Sequence, residues 1–206
     1  EPDFSDETKN DFIDKIQIAK KMIISASKVF EHKNVLIDSW YSATEILKLI
    51  ADKSQFFFTV LKSNRNITIN KRNRSVKDQF KRLFPRDFKI EKIKKKKYFC
   101  ATKIAFLKGV GKIKIVFTQY YDESKNKLLG SNYIVSNNIN LDAKQILETY
   151  SLRWPIEVFN RDVKQNLGFE KCIIRKLTGI KRHFLIINIV QTIISIKKMY
   201  KNTVVC

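Results

Sequence analysis

The sequence predicts an α/β fold, and three observations carry that reading. Helical patterns alternate with short, nearly continuous apolar runs in the first third of the chain, in the order helix, strand, helix, strand. Only 5 Gly and 3 Pro in 206 residues argue against a turn-dense all-β sandwich. A hydrophobic content of 44% suffices for a core, and the length suits one domain with a smaller insertion.

In residues 8–30, Phe12, Ile16, Ile18, Ala19, Ile23, Ala26 and Phe30 recur at near-helical spacing, with Thr8 or Asn10 as candidate N-caps. Residues 34–38 (NVLID) are an apolar run closed by a carboxylate, which predicts a strand covered on both faces with Asp38 at its C-terminal end. Residues 42–53 predict a second helix capped by Ser42, and residues 55–61 the next buried strand, a parallel α/β order. After Lys62-Ser63-Asn64-Arg65 the chain turns basic, with a short helix over 76–84 stopped by Pro85. Residues 98–106 and 112–121 flank Gly109-Val110-Gly111 as a hairpin, and 132–135 add a strand after a polar turn over 122–130. Residues 141–167 predict one long helix, capped by Asp142, closed by Gly168 and kinked or broken at Pro155. A last helix covers 178–200. Its apolar stretch, 184–196, is interrupted by Asn188 and Gln191 and is shorter than a bilayer span, so it reads as a buried helix. The expected division is 1–65, a basic and partly β middle region or insertion over 66–140, and 141–206.

Lys and Arg number 41 against 20 Asp and Glu, a formal net charge of +21 that points to a polyanionic partner. A duller cause competes: 75 of the 206 residues are Lys, Ile or Asn, the bias of AT-rich coding. Position decides for nucleic acid, because residues 62–114 hold 19 Lys and Arg against 3 Asp and Glu. Five of the nine arginines, Arg65, Arg72, Arg74, Arg82 and Arg86, crowd into the first half of that block. Cys100, Cys172 and Cys206 form neither a disulfide framework nor a zinc pattern, and no leader pattern opens the chain, which predicts a reducing, cytoplasmic setting. Glu1 in place of an initiator, with Met22 and Met199 the only methionines, reads as the remainder of a longer protein.

The segment 150–165 carries the chemistry. On one helix, offsets of 3, 4 and 7 align Tyr150, Arg153, Glu157 and Lys164 on a stripe, a lone carboxylate among cations. Taken by spacing alone, Arg153, Glu157 and Arg161 equally suit ordinary surface ion pairs.

The pattern Tyr-x2-Arg-x3-Glu-x6-Lys, filled by Tyr150, Arg153, Glu157 and Lys164, resembles the YREK signature of DDE transposases in the bacterial and archaeal insertion-sequence-four-like group. Residues 35–42 (VLIDSWYS), with 61–65 (LKSNR) after them, resemble the strand bearing that group's second catalytic Asp and the strand after it. Lys164-Gln165-x-Leu167-Gly168 and Arg182-His183 also fit, so the resemblance runs from about Lys20 to Ile196. It implies an RNase H-like core, here incomplete with its opening strands missing, and cut-and-paste phosphoryl transfer at transposon ends. It also implies two Mg²⁺ or Mn²⁺ ions, with Asp38 and Glu157 as catalytic metal ligands; hard cations suit carboxylate oxygens. Arg153 and Lys164 would grip phosphates of the DNA ends, Arg161 would face DNA, Tyr150 would orient DNA or the helix, and Lys62 and Arg65 would meet phosphate. Trp40 and Tyr41 either stack on an unpaired base or pack beside the sheet. His183 is a weaker candidate.

The first acid is missing from the pattern. Asp3, Asp6, Asp11 and Asp14 stand in polar or helical context, with no apolar run to mount them. The expectation is therefore a transposase fragment with DNA ends and target as partners, a homo-oligomer in the complete protein, away from membranes. The rival is a non-catalytic DNA-binding remnant or adapted derivative; a ribosome-associated protein would leave Asp38 and Glu157 unexplained.

Overall fold

The computed structural model describes residues 14–93, 96–122 and 124–203. Residues up to Leu152 form one compact unit and those from Arg153 a second. Asp3, Asp6, Asp11, Thr8, Asn10 and Cys206 lie outside the described residues.

The first unit opens with α1 (Lys15–Val29), started by Asp14, whose carboxylate accepts the Gln17 N–H at 2.8 Å. Strand β1 (Asn34–Leu36) runs parallel to β2 (Phe56–Val60), with α2 (Thr44–Asp52) as the crossover. The strand is shorter than its apolar run suggests because Asp38 leaves it to cap a single 3₁₀ turn, Ser39–Tyr41. Ser42 is not the cap of α2; Ala43 holds that position without a side-chain bond.

Beyond β2 the chain adds antiparallel strands to the same sheet: β3 (Asn66–Ile69), β4 (Arg72–Ser75), β5 (Lys89–Ile93), β6 (Lys96–Leu107), β7 (Gly111–Asp122) and β8 (Lys127–Ser136). The order across the sheet is β1-β2-β8-β7-β6-β3-β4, with β5 also on β6. The expected parallel arrangement holds only for β1 and β2. The β3–β4 hairpin turns on Asn70 and Lys71, both at positive φ, the two-residue turn that matches strand twist. Nothing in NITINKRNRS marks it, since the turn lacks glycine and β4 is wholly polar. Strand β8 starts five residues before the expected 132, because Gly130 is not a turn residue: at φ +51° it sits where the β7–β8 register shifts.

Successive residues of the central strands feed opposite sides. Phe57, Ile115, Phe117, Tyr133 and Val135 join Ile46, Leu47 and Ile50 of α2 on one face. Phe58, Val116 and Ile134 join Ile146 and Leu147 of α4 (Ala143–Ser151) on the other. Burial on both faces is the reason β2 reads FFFTV rather than alternating. Short α3 (Val76–Phe80) ends well before Pro85, which opens another 3₁₀ turn.

The single helix expected over 141–167 is two. Helix α4 is capped by Asp142 in a capping box with Gln145. Helix α5 (Trp154–Asn166) begins afresh with Pro155 in its first turn, the position where a missing N–H costs nothing. The second unit comprises α5, the bend at Gly168 (φ +65°) and α6 (Leu177–Thr203). Phe169 and Phe184 stack at 4.6 Å between ring centroids, and Val163, Ile187 and Gln191 are buried.

Helix α6 corrects a further expectation. Leu185, Ile186, Ile189, Ile193 and Ile196 are all exposed, so it is not a buried helix. Its apolar residues spread around the whole circumference, and α5 covers only one side. Residues Leu177–Lys197 are long and apolar enough to cross a membrane by length and composition, a longer stretch than 184–196 suggested.

Candidate functional site

Parallel β1 and β2 end side by side, so the residues that leave the two strands emerge at one place, the carboxyl edge where open α/β sheets bind ligands. From β1 come Asp38 and the turn Ser39–Tyr41; from β2 come Lys62, Asn64 and Arg65. Of these, Ser39, Trp40, Lys62, Asn64 and Arg65, together with Thr44 and the β6–β7 turn at Lys108 and Gly109, line a cavity of about 810 Å³.

Asp38, the residue before Ser39 of the wall, has extended backbone. Its Oδ1 accepts the Trp40 N–H at 3.0 Å and the Ser39 hydroxyl at 3.2 Å, so the carboxylate is held by its own turn. Trp40 is 76% exposed, which excludes packing beside the sheet; Tyr41 is borderline. The Lys62 ammonium lies 5.3 Å from the Trp40 ring centroid, a cation–π contact that presents both groups to the cavity. Arg65 donates through Nη2 to the Thr44 hydroxyl at the start of α2, which fixes its guanidinium in the wall. The arrangement offers two cations and an aromatic face beside a carboxylate, the equipment for holding a phosphodiester and a base.

The YREK-like residues are distributed over both units. Tyr150, on α4, packs against the cluster around Phe58 and Ile146. Arg153 is the N-cap of α5, and Glu157, Arg161 and Lys164 lie within it, so the stripe expected on one helix with Tyr150 does not exist as such. At the start of α5 the Arg153 guanidinium donates to Glu157 Oε1, and the carboxylate sits in the first turn where the helix dipole favours it. Lys164 pairs with Glu170 at 2.6 Å, and Arg161 with Asp162 at 3.8 Å. His183 lies inside α6 with Nε2 3.3 Å from the Gly168 carbonyl.

Sequence reasoning did not find Thr44, Lys108 or Gly109 in the cavity wall. No spacing signal links a helix start to a hairpin turn some 65 residues away; only the pairing of β6, β7 and β8 beside β2 brings them together.

The first unit is thus a mixed α/β unit with a basic, aromatic-lipped cavity at the ends of its parallel strands. The family model described as Transposase DDE domain matches residues 11–193, and the chain belongs to that family. The mixed sheet with its helices is compatible with the RNase H-like fold of such transposases, a transposase function follows, and the substrate is DNA. No curated protein matches the chain.

The family generally uses divalent metal ions. Among the described residues no three His, Cys, Asp or Glu side chains group closely enough to hold one. Asp38 Oδ1 is engaged by its turn and Glu157 Oε1 by Arg153. Asp38 lies in the first unit and Glu157 in the second, and neither unit by itself groups the described residues that a two-metal site needs.

Proposed function

We propose that this chain is the DNA-holding part of a cut-and-paste insertion-sequence transposase of the YREK type, with Asp38 and Glu157 as its acidic residues. The observation that carries the reading is the cavity beside Asp38, whose cations and aromatic lie at the strand ends named by the LKSNR and DSWYS segments. Lys62 and Arg65 take backbone phosphate there, Arg65 braced by Thr44, and Trp40 offers its exposed face to a base. Arg153 at the N-cap of α5, and Arg161 and Lys164 within it, are proposed DNA contacts that exchange their carboxylate partners for phosphate.

One observation favours a second reading, a DNA-binding derivative without catalysis: the described residues supply no three-ligand metal group. The two readings separate in one experiment. Purified chain is incubated with supercoiled plasmid and Mg²⁺ or Mn²⁺, and retention and nicking are both scored, alongside Asp38→Asn and Glu157→Gln. Plasmid retained but left supercoiled is the result expected of this chain alone. Nicking that Glu157→Gln abolishes would show a completed catalytic site, and failure to retain plasmid at low salt would refute DNA handling altogether.

A further inference from the structure

A second cleft lies along the β3–β4 hairpin, walled on the other side by α3 and the 3₁₀ turn Pro85–Asp87. It measures about 550 Å³ and shares no lining residue with the cavity beside Asp38. Its wall holds Arg72, Arg74, Arg82, Arg86 and Lys103 against a single carboxylate, Asp87. Arg72 and Arg74 stand two apart on β4 and so share a face of the strand. Gln79 of α3 donates to the Arg72 carbonyl at 3.0 Å, tying the two walls together.

The one acid is already engaged: Asp87 accepts from Lys103 Nζ at 2.8 Å and from the Phe84 N–H at 2.8 Å. Among the described residues none of Arg72, Arg74, Arg82 or Arg86 makes an ion pair with a carboxylate. Arg86 lies over the exposed Phe84 ring at 5.0 Å, which steadies its guanidinium at the rim. Coding bias does not account for this wall. The chain has nine arginines among its 41 basic residues, and four of the nine meet here. Arginine is the residue whose planar fork matches phosphate oxygens bidentately.

We propose that this cleft grips the phosphate backbone of DNA without reading its sequence, as a contact separate from the Asp38 cavity. A polymer is favoured over a single anion because the cations continue outward: Arg74 and Arg82 also line an adjoining hollow of about 490 Å³ with Lys81 and Asp78. The choice of DNA as the polymer rests on the transposase reading.

The test measures binding of the full chain to a fluorescent duplex of arbitrary sequence by anisotropy, over a salt series. Each phosphate contact contributes about −0.9 to the slope of log affinity against log salt. Arg74→Ala/Arg82→Ala should flatten the slope by about two contacts and weaken binding at least tenfold on every duplex tried. Arg74→Lys/Arg82→Lys should restore the slope but only part of the affinity, because charge returns without the fork. Lys144→Ala, removing an exposed cation on α4, should leave the slope unchanged, and circular dichroism checks that each variant is folded. A wild-type slope in the folded double Ala variant overturns the proposal and leaves the Asp38 reading standing. The same slope with inorganic phosphate bound at the cleft would assign it to a free anion and equally overturn it. Absence of DNA binding by the unmodified chain would instead refute the transposase reading on which it rests.

Discussion

Replacing Gly109 by Ala tests how the cavity wall is built. Gly109 turns the β6–β7 hairpin at φ +79°, and a Cβ built there meets Thr44 Cγ2 at 2.6 Å. Two costs add. The left-handed backbone disfavours an L side chain by about 1–2 kcal/mol, less about 0.4–1 kcal/mol from a stiffer unfolded chain. The contact adds overpacking of about 1–3 kcal/mol, since Thr44 is β-branched and its hydroxyl accepts from Arg65. Gly130 supplies the control, with φ +51° and nothing within 4 Å of its added Cβ, so Gly130→Ala carries the backbone cost alone. Urea unfolding should place Gly109→Ala about 2–3 kcal/mol below the parent and Gly130→Ala about 1 kcal/mol or less below it. Adding Thr44→Ser to Gly109→Ala removes the offending methyl but keeps the hydroxyl that Arg65 needs, and should recover the difference. If Gly109→Ala proves as mild as Gly130→Ala, or Thr44→Ser recovers nothing, the close approach of hairpin and helix is not what shapes the wall.

Burial and pairing produce two pH effects. The hydrogen bond from Lys103, then that from the Phe84 amide, holds Asp87 below its ordinary 3.8, so the stability it contributes is present above that value and lost as pH falls through the lowered one. Lys103→Met should therefore flatten the fall in thermal midpoint below pH 4, and acid curves that stay parallel would refute the pairing. Burial pushes the Cys100 thiol from 9.0 up to about 12, so its stabilising burial is complete below pH 9 and lost as pH climbs toward 12. Cys100→Val should blunt that alkaline loss, and native Cys100 should resist alkylation at pH 8.5 until the chain is unfolded; ready labelling of the native protein would contradict it.

How much of the fold and site is legible in the sequence depends on where each signal lives. Asp142, Gly168 and the apolar runs of β1 and β2 announce themselves because caps, left-handed stops and two-sided burial act over a few residues. The β3–β4 hairpin stays hidden because its turn uses Asn70 and Lys71 and its second strand is RNRS, which no alternation marks. The break between α4 and α5 is only half legible: Pro155 signals a disturbance, but its ease in a first turn makes it a new start rather than a kink. Apolar composition misleads at α6, because a run of Ile and Leu says what would gain from burial and not what is there to bury it. In the site, motif order points to Asp38, Lys62 and Arg65, while the Thr44 brace, the Glu170 partner of Lys164 and the arginine cleft arise only from the folded arrangement.

The central claim is that DNA sits in the cavity beside Asp38, and Trp40 can report on it directly. The chain has two tryptophans, so Trp154→Phe leaves Trp40, exposed at the cavity lip under Lys62, as the sole indole. Titrated with duplex DNA, its fluorescence should be quenched over the same concentration range in which anisotropy reports binding, and Lys62→Ala should shift both curves together to weaker affinity. Anisotropy that rises while Trp40 emission stays unchanged would place the DNA elsewhere and contradict the account.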